Sequence, residues 1–161
     1  MKQADELRRT FDTPNGTRGA RKPSGRFYRL MNTMMERRVR RKGGSMMGFK
    51  VLILMTKGRK SGLERSNPVG WFEAKDGNWL IVASAAGAAE NPAWYYNLAA
   101  APDTAVVSVD GWRIEVVAEQ LHGHERDEAW QQITAASPRF GKYQEKTDRQ
   151  IPVIHLVPRQ A

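Results

Sequence analysis

The chain has 161 residues, contains no cysteine and carries a formal net charge of +9. That length suits a single domain with one buried core. Without cysteine the chain forms no disulfide, thiolate metal site or cysteine nucleophile, which fits a reducing cytoplasm. No apolar run approaches the roughly 18 residues that cross a bilayer, and the first residues lack the apolar segment of a signal peptide. We therefore expect a cytoplasmic protein.

The basic residues are concentrated near the N-terminus. Residues 1–50 hold 14 Lys or Arg against 4 Asp or Glu, whereas residues 51–161 hold 12 against 13. Residues 1–25 are rich in Gly, Pro and charge, so we expect a flexible basic arm there. Such an arm is suited to a polyanionic partner, either membrane lipid or nucleic acid, or it is simply a solvated tail.

An amphipathic helix is predicted over residues 26–42, and Gly43-Gly44 should end it. Its opposite face is rich in arginine. The apolar stripe either packs on the rest of the protein, as is usual, or lies peripherally on the anionic inner face of the cell membrane. Its residues recur three and four positions apart: Phe27, Leu30, Met31, Met34, Met35 and Val39.

Residues 46–161 are predicted to form a small barrel of about six strands with short connections. The strands are expected at 49–56, 64–74, 79–85, 104–109, 113–121 and 151–157. Pro68 marks an edge, a bulge or a special site in the second strand. Helices are predicted at 91–102 and 124–137. Asn91 should cap the first helix, with Pro92 in its first position and Pro102 at its end.

Two short motifs are suited to binding an anion. In GRKSG, residues 58–62, a glycine-rich turn carries Arg59 and Lys60 at its tip. In ASAAGAAENPAW, residues 83–94, small residues lead from a strand into a helix start, an arrangement that favours phosphate. Each motif has a plain alternative, because basic turns are commonly solvated and small residues simply let a chain turn.

The remaining candidates are aromatic residues and histidines. Trp94, Tyr95, Phe140 and Tyr143 are suited either to flanking a planar ligand or to the core. The three histidines lack metal-site spacing, so no metal is expected. No Gly-x-Ser-x-Gly motif provides a nucleophile for acyl transfer.

Three segments carry a family resemblance across about residues 49–158: LILMTKGRKSGLERSNPVGWF, WLIVASAAGAAENPAWYYNLAAAPDTAVVSV and KYQEKTDRQIPVIHLVP. They resemble the deazaflavin-dependent nitroreductase family of actinobacteria, also described as quinone reductases that use reduced coenzyme F-420. The resemblance implies an α+β, mainly β fold, a split β-barrel of the FMN-binding type with a few helices.

The resemblance also implies which residues bind the cofactor. Its anionic tail, a phosphodiester bearing glutamates, would be held by Arg59, Lys60, Ser61 and Arg65. The deazaflavin ring would lie against Asn67, Pro68 and Val69. The phosphate would be enclosed by Ser84, Ala85, Ala86 and Gly87, and the pocket would be shaped by Trp94 and Asn97.

The implied activity is hydride transfer from reduced coenzyme F-420 to a quinone, an activated enone or a nitro compound. Tyr143 is the expected proton donor or substrate-orienting residue, and Phe140 is expected in the substrate pocket. Many relatives have a lysine where this chain has Ala85, and nitro-reducing relatives carry a tyrosine at Phe140. A separate dehydrogenase would regenerate the reduced cofactor. The alternatives are an FMN-dependent oxidoreductase of the same fold, a deazaflavin carrier, and a basic nucleic-acid-binding protein.

Overall fold

The computed structural model describes residues 3–42, 45–46 and 49–160. Their strands are β1 (Ser45–Met46), β2 (Phe49–Lys57), β3 (Glu64–Glu73), β4 (Trp79–Val82), β5 (Ala105–Val109), β6 (Trp112–Gln120) and β7 (Val153–Pro158). Strands β2 to β7 form an antiparallel barrel in the order β2-β3-β4-β7-β6-β5, and β5 pairs again with β2 to close it. The predicted mainly β barrel is confirmed, and each predicted strand corresponds to one of these six.

The helices of the described residues pack against the barrel, and one of them contributes buried side chains to its core. They are α1 (Ala4–Thr10), α2 (Arg26–Lys42), α3 (Ala93–Ala100), α4 (Gly123–Ala136) and α5 (Arg139–Lys146). The predicted helices correspond to α2, α3 and α4, and the expected stop of α2 at Gly43-Gly44 lies outside the described residues. Among the described residues, no helix has both the length and the apolar character that crossing a membrane requires.

Helix α5 was missed because its sequence is polar and has a glycine, Gly141, in its interior. An interior glycine costs about 1 kcal/mol relative to alanine, so local propensity argues against a helix here. Packing decides instead, because Phe140 is buried in a cluster with Ile133 and Val153. Its ring meets that of Phe72 edge-on, with the ring centroids 5.7 Å apart.

Strand β2 is buried on both faces, which explains its uninterrupted apolar sequence. Alternate side chains of a strand point to opposite faces. Leu52 and Leu54 lie in the barrel core, whereas Ile53 and Met55 lie in a second cluster with Val39 of helix α2. The C-terminal half of α2 is therefore fastened to the outside of the barrel.

Pro68 lies in a part of β3 that pairs on one side. It stands opposite Ile53 of β2, and β4 joins the other side of β3 only from Trp71 onward. A residue without a backbone N–H is tolerated where no ladder bond is needed. Of the three alternatives expected for Pro68, an edge, a bulge or a special site, the pairing supports a local edge, and the unpaired side of this stretch leaves room for a cavity.

The predicted cap of helix α3 is wrong. Pro92, with φ −64° and ψ 153°, occupies the N-cap position, and the helix begins at Ala93. The buried Asn91 uses its side chain elsewhere. Its Oδ1 accepts a hydrogen bond from Arg149 at 2.7 Å, and its Nδ2 donates to the Thr13 carbonyl at 2.9 Å. A side chain committed to these partners does not cap the helix.

Residues 3–25 differ from the flexible arm expected from their composition, because they pack against the barrel. Leu7 of α1 is only 3% exposed. The Thr13 amide donates to the Tyr95 hydroxyl at 3.1 Å, and that hydroxyl donates to Oε1 of Gln120 at 2.6 Å. Polar contacts of this kind fix the segment although it has few apolar residues, and composition alone does not reveal them.

Replacing Tyr95 by phenylalanine should loosen this segment. The change removes both bonds of the hydroxyl and leaves a partly buried amide and a buried side-chain oxygen without that partner, at a cost of about 1–3 kcal/mol. We expect a lower free energy of unfolding in urea and faster trypsin cleavage at Arg8 and Arg18. Tyr28→Phe, on an exposed helix face, is the control. Equal cleavage rates in the wild type and Tyr95→Phe would contradict the anchoring.

Candidate functional site

The turn between β2 and β3 presents two exposed cations, Arg59 and Lys60. The Gly58 amide donates to the Leu63 carbonyl at 2.7 Å, and the Gly62 amide donates to the Gly58 carbonyl at 2.8 Å. Gly62 has a φ of +72°, a conformation that glycine adopts without steric cost. The glycines therefore shape the turn, and its charged residues remain at the surface.

Helix α3 supports this turn from the barrel side. The buried Asn97 accepts a hydrogen bond from the Arg59 amide at 3.1 Å and donates to Oγ1 of Thr56 at 3.2 Å. The guanidinium of Arg59 lies 5.0 Å from the centre of the Tyr96 ring, within cation–π distance. Asn97, expected to shape the pocket, thus also fixes the position of the turn.

The loop after β4 forms a backbone concavity, which we call the nest. Ser84 is right-handed helical, with φ −77° and ψ −36°, and Ala85 and Ala86 follow in the left-handed region with φ of 46° and 55°. This succession turns consecutive N–H groups toward one point, as in known anion sites. Left-handed alanines cost about 1–3 kcal/mol each, so neighbouring structure must hold them.

Arg149 provides that support, and the sequence analysis did not single it out. Its side chain is 2% exposed. Its guanidinium donates to the carbonyls of Ala83 and Ser84 at 2.9 Å each, to that of Ala88 at 3.1 and 3.2 Å, and to Oδ1 of Asn91 at 2.7 Å. One side chain therefore fastens both ends of the loop.

The charge of Arg149 has an electrostatic consequence at the nest. Burial lowers the pKa of Arg149, but a guanidinium starts so high that it stays protonated. The acceptors of these five bonds are three backbone carbonyls, one of which accepts twice, and a side-chain amide, none of them a carboxylate. A positive charge therefore lies behind the nest and favours an anion in front of it.

The nest opens into a first cavity of about 390 Å³. One wall is the edge of β3, with Asn67, Pro68 and Val69, and the opposite wall is the nest. Gly87 is not in the lining, because it lies behind the nest, where an added Cβ would be 2.7 Å from the Tyr143 carbonyl oxygen. Three aromatic residues also line the cavity: Trp94, Phe140 and Tyr143.

The aromatic candidates separate into core and cavity. Tyr95 is buried in the core, and burial raises the pKa of its hydroxyl. Phe140 is largely core, but its edge reaches the cavity and packs against Tyr143, with ring centroids 5.7 Å apart at 88°. Tyr143 is half-buried and is the phenol that lines the first cavity together with Tyr28 of α2.

A second cavity of about 660 Å³ adjoins the first and has a different lining. Asn67 and Trp94 border both cavities, as do Tyr28 and Asn32 of α2, which sequence reasoning missed. Their signal was weak, since they are ordinary positions beside an apolar stripe. The second cavity is lined by the four residues expected to hold the tail, and also by Asn97, which was expected to shape the pocket: Arg59, Lys60, Ser61 and Arg65.

In the described part of the chain, no three side chains of His, Asp or Glu are grouped to hold a metal ion. The two adjoining cavities form one continuous groove. Its first part is apolar and aromatic with a nest for an anion, and its second part is cationic. Such a groove can hold a planar molecule that bears a long anionic chain.

The comparisons agree with this geometry. The family model of the F420H(2)-dependent quinone reductases matches residues 27–158. The chain belongs to this family. An F420H(2)-dependent quinone reductase of Mycobacterium tuberculosis is 38% identical over 112 residues, which are 67% of this chain and 73% of the relative.

Two solved structures are also similar to this chain. An F420-H2 dependent reductase (FDR-A) is 34% identical, with a TM-score of 0.59, over 66% of this chain and 93% of that one. A second structure, described as a domain-swapped dimer, is 30% identical with a TM-score of 0.61, over 81% of this chain and 93% of its own. The split-barrel fold expected from the sequence is thereby confirmed.

Replacing Arg149 by lysine should destabilise the protein although the charge is kept. An ammonium has three donors and cannot reproduce the five bonds of the planar fork, so buried carbonyls lose partners. We expect a loss of about 2–4 kcal/mol in the free energy of unfolding, measured in urea. Arg37→Lys, on the exposed face of α2, is the matched control. A change below about 0.5 kcal/mol for Arg149→Lys would contradict the role of the guanidinium.

Proposed function

We propose that this protein is an oxidoreductase that transfers a hydride from reduced coenzyme F-420 to a quinone. The observation that carries the proposal is the pair of adjoining cavities, one apolar with an anion nest and the other cationic, joined at Asn67 and Trp94. The names of the family and of the relatives support the same cofactor and the same class of acceptor.

The residues present fit the parts of this cofactor in order along the groove. The flat ring fits the first cavity, between Pro68 and Trp94. The phosphate fits the nest at Ser84–Ala86, where backbone N–H groups and the charge of Arg149 favour it. The glutamate tail fits the second cavity, where cationic side chains can form charge-assisted bonds to carboxylates: Arg59, Lys60 and Arg65.

When bound, the reduced cofactor supplies a hydride, which together with one proton converts a quinone into a hydroquinone. The protein binds and orients the partners and limits access of water to the first cavity. Tyr143 is the proposed donor of the proton or the group that orients the acceptor, because its phenol lies at that cavity. Phe140 has no hydroxyl and is limited to shaping the acceptor pocket, which favours quinones and enones over nitro compounds. A separate dehydrogenase would return the cofactor to its reduced form.

Cofactor selectivity tests this function. We expect micromolar or tighter binding of coenzyme F-420, at least about tenfold weaker binding of FMN, and weaker binding as glutamates are removed. Lys60→Ala should weaken the binding of coenzyme F-420 about tenfold or more, because a charge-assisted bond is worth about 1.5–3 kcal/mol. Fluorescence titration measures each affinity, and the wild type should reoxidise the reduced cofactor in the presence of menadione.

The control for that titration is Lys75→Ala, an exposed lysine that pairs with Glu128 away from the groove. Equal affinity for FMN and coenzyme F-420, or indifference to glutamate number, would overturn the proposal and move the protein to the FMN-dependent branch. Binding without menadione-dependent reoxidation would make it a deazaflavin carrier.

A peripheral membrane contact through helix α2 is part of the proposal, because a quinone partitions into lipid. The C-terminal half of the stripe packs on β2, but its N-terminal half is exposed, with Phe27 at 75% and Met34 at 61%. Arginines on the flanking face suit an anionic bilayer, in which an amphipathic helix lies with its apolar face down. The exposed apolar residues of the stripe are Phe27, Leu30, Met31 and Met34.

Two acidic substitutions test this contact without removing any structure. Leu30→Asp with Met34→Asp should abolish co-sedimentation with phosphatidylglycerol vesicles at low salt, because charges on the apolar face oppose insertion. Turnover of menadione should be unchanged. Trp112→Asp changes another strongly exposed apolar residue, on β6, and should leave vesicle binding intact. A wild-type protein that ignores the vesicles, or a double variant that still binds them, would exclude this membrane contact.

A further inference from the structure

The N-terminal segment 13–23, which we call the strap, runs beside the loop that carries the nest. The Gly16 amide donates to the Ala89 carbonyl at 2.7 Å, and the Ala20 amide donates to the Gly87 carbonyl at 2.9 Å. Ala20 also forms a parallel bridge with Ala88. The strap is thus an added piece of extended chain along residues 87–89, which directly follow the nest.

Glycine permits this close approach. A Cβ built on Gly19 would lie 2.3 Å from the Ala89 nitrogen, and one on Gly16 would lie 2.3 Å from Oδ1 of Asp148. Both distances are shorter than real Cβ contacts, so a side chain at either position would push the strap away. The composition that suggests flexibility in the sequence serves here to bring two backbones together.

Asp148 fastens the strap in register. Its Oδ1 accepts hydrogen bonds from the Thr17 amide at 2.9 Å and the Arg18 amide at 3.0 Å, and its Oδ2 accepts one from the Thr17 hydroxyl. The hydroxyl bond, followed by the amide bonds, lowers the pKa of Asp148 to about 2. A depressed carboxyl pKa means that the anchor is complete above the ordinary value near 3.8 and is lost as the pH falls toward 2.

The strap contributes a lysine to the cavity that the nest lines. Lys22 and Pro23 line the first cavity together with Ser84, Ala85 and Ala86. The nest residues themselves carry no cationic side chain. Lys22 pairs with Glu90, with Nζ and Oε2 3.8 Å apart and both side chains partly exposed. An exposed pair at that distance is weak, so the ammonium is free to turn to a better anion.

We propose that Lys22 binds the phosphate of the cofactor and that the strap is the positioning element for it. This inference rests on the proposed function, and it extends the binding site beyond the matched family region, which begins at residue 27. The phosphate would meet backbone N–H groups of the nest on one side and the Lys22 ammonium on the other. The glutamate tail, which is held separately near Lys60, would not share this contact.

The separation between the two lysines gives a sharp test by fluorescence titration of the full-length protein. Lys22→Ala should weaken the binding of coenzyme F-420 about tenfold. It should weaken the binding of the cofactor with trimmed glutamates by the same factor. Lys60→Ala should lose most of its effect on the trimmed cofactor. Lys22→Ala with Lys60→Ala should be additive, because the two side chains contact different parts of the ligand. Lys75→Ala is the control and should match the wild type.

Two further variants test the positioning by the strap. Asp148→Asn should weaken binding, but it should add little to Lys22→Ala, since its effect passes through Lys22. Glu90→Gln should tighten binding, because it removes the competing carboxylate. Circular dichroism and thermal unfolding verify that each variant is folded.

The outcomes separate the two proposals. No binding of coenzyme F-420 by the wild type would overturn the proposed function and this inference with it. Wild-type binding with an unchanged affinity in Lys22→Ala would overturn the inference alone. A Lys22→Ala loss that shrinks with the glutamate tail would place the lysine on the tail and would also overturn the phosphate contact.

Discussion

The hydrogen bonds of Arg149 are the interaction on which the rest of the site depends. A single buried guanidinium joins the end of β4, the nest, the segment after it and the side chain of Asn91 just before helix α3. Burying an ion costs several kcal/mol. Here that cost is offset by hydrogen bonds to neutral acceptors and not by pairing with a carboxylate. Two consequences follow together: the left-handed alanines are held in place, and an uncancelled positive charge lies behind them. The same residue therefore provides both the shape of the nest and its preference for an anion.

Helix α3 connects the nest to the cationic turn. Its first residues follow the loop that Arg149 holds, Trp94 borders both cavities, and Asn97 one turn later fixes the backbone of Arg59. The distance between the nest and the cationic turn is thus set by a rigid element rather than by two independent loops. A groove built in this way suits a long ligand of fixed chemical order, and it explains why short motifs far apart in the chain belong to one site.

The sequence was informative where structure is local and less so where it is not. Strand β2 was predictable because burial of both faces gives an uninterrupted apolar run. The GRKSG turn was predictable because two glycines flank two adjacent cations within five residues. The position of Asn91 matched a capping pattern, but its side chain accepts a hydrogen bond from Arg149, which lies almost sixty residues later in the chain. Arg149 itself lies in the segment KYQEKTDRQIPVIHLVP that carries part of the family resemblance, yet nothing local distinguishes a buried arginine from a solvated one. Such residues become visible only when the acceptors around them are known.

The basic N-terminal region shows why charge must be assigned residue by residue. As a total, the excess of Lys and Arg in the first fifty residues indicates only an anionic partner of some kind. In the structure the charges divide among distinct surroundings. The guanidinium of Arg18 donates to the carbonyls of Glu145 and Lys146 at the end of α5, which helps to fasten the strap. Lys22 lines the first cavity together with the nest residues, and α2 carries exposed arginines beside its exposed apolar residues. A deletion of this region would therefore remove an anchor, a wall of the cavity and a surface at once, and no single function could be inferred from its effect. Point substitutions separate these roles because each side chain has its own contacts.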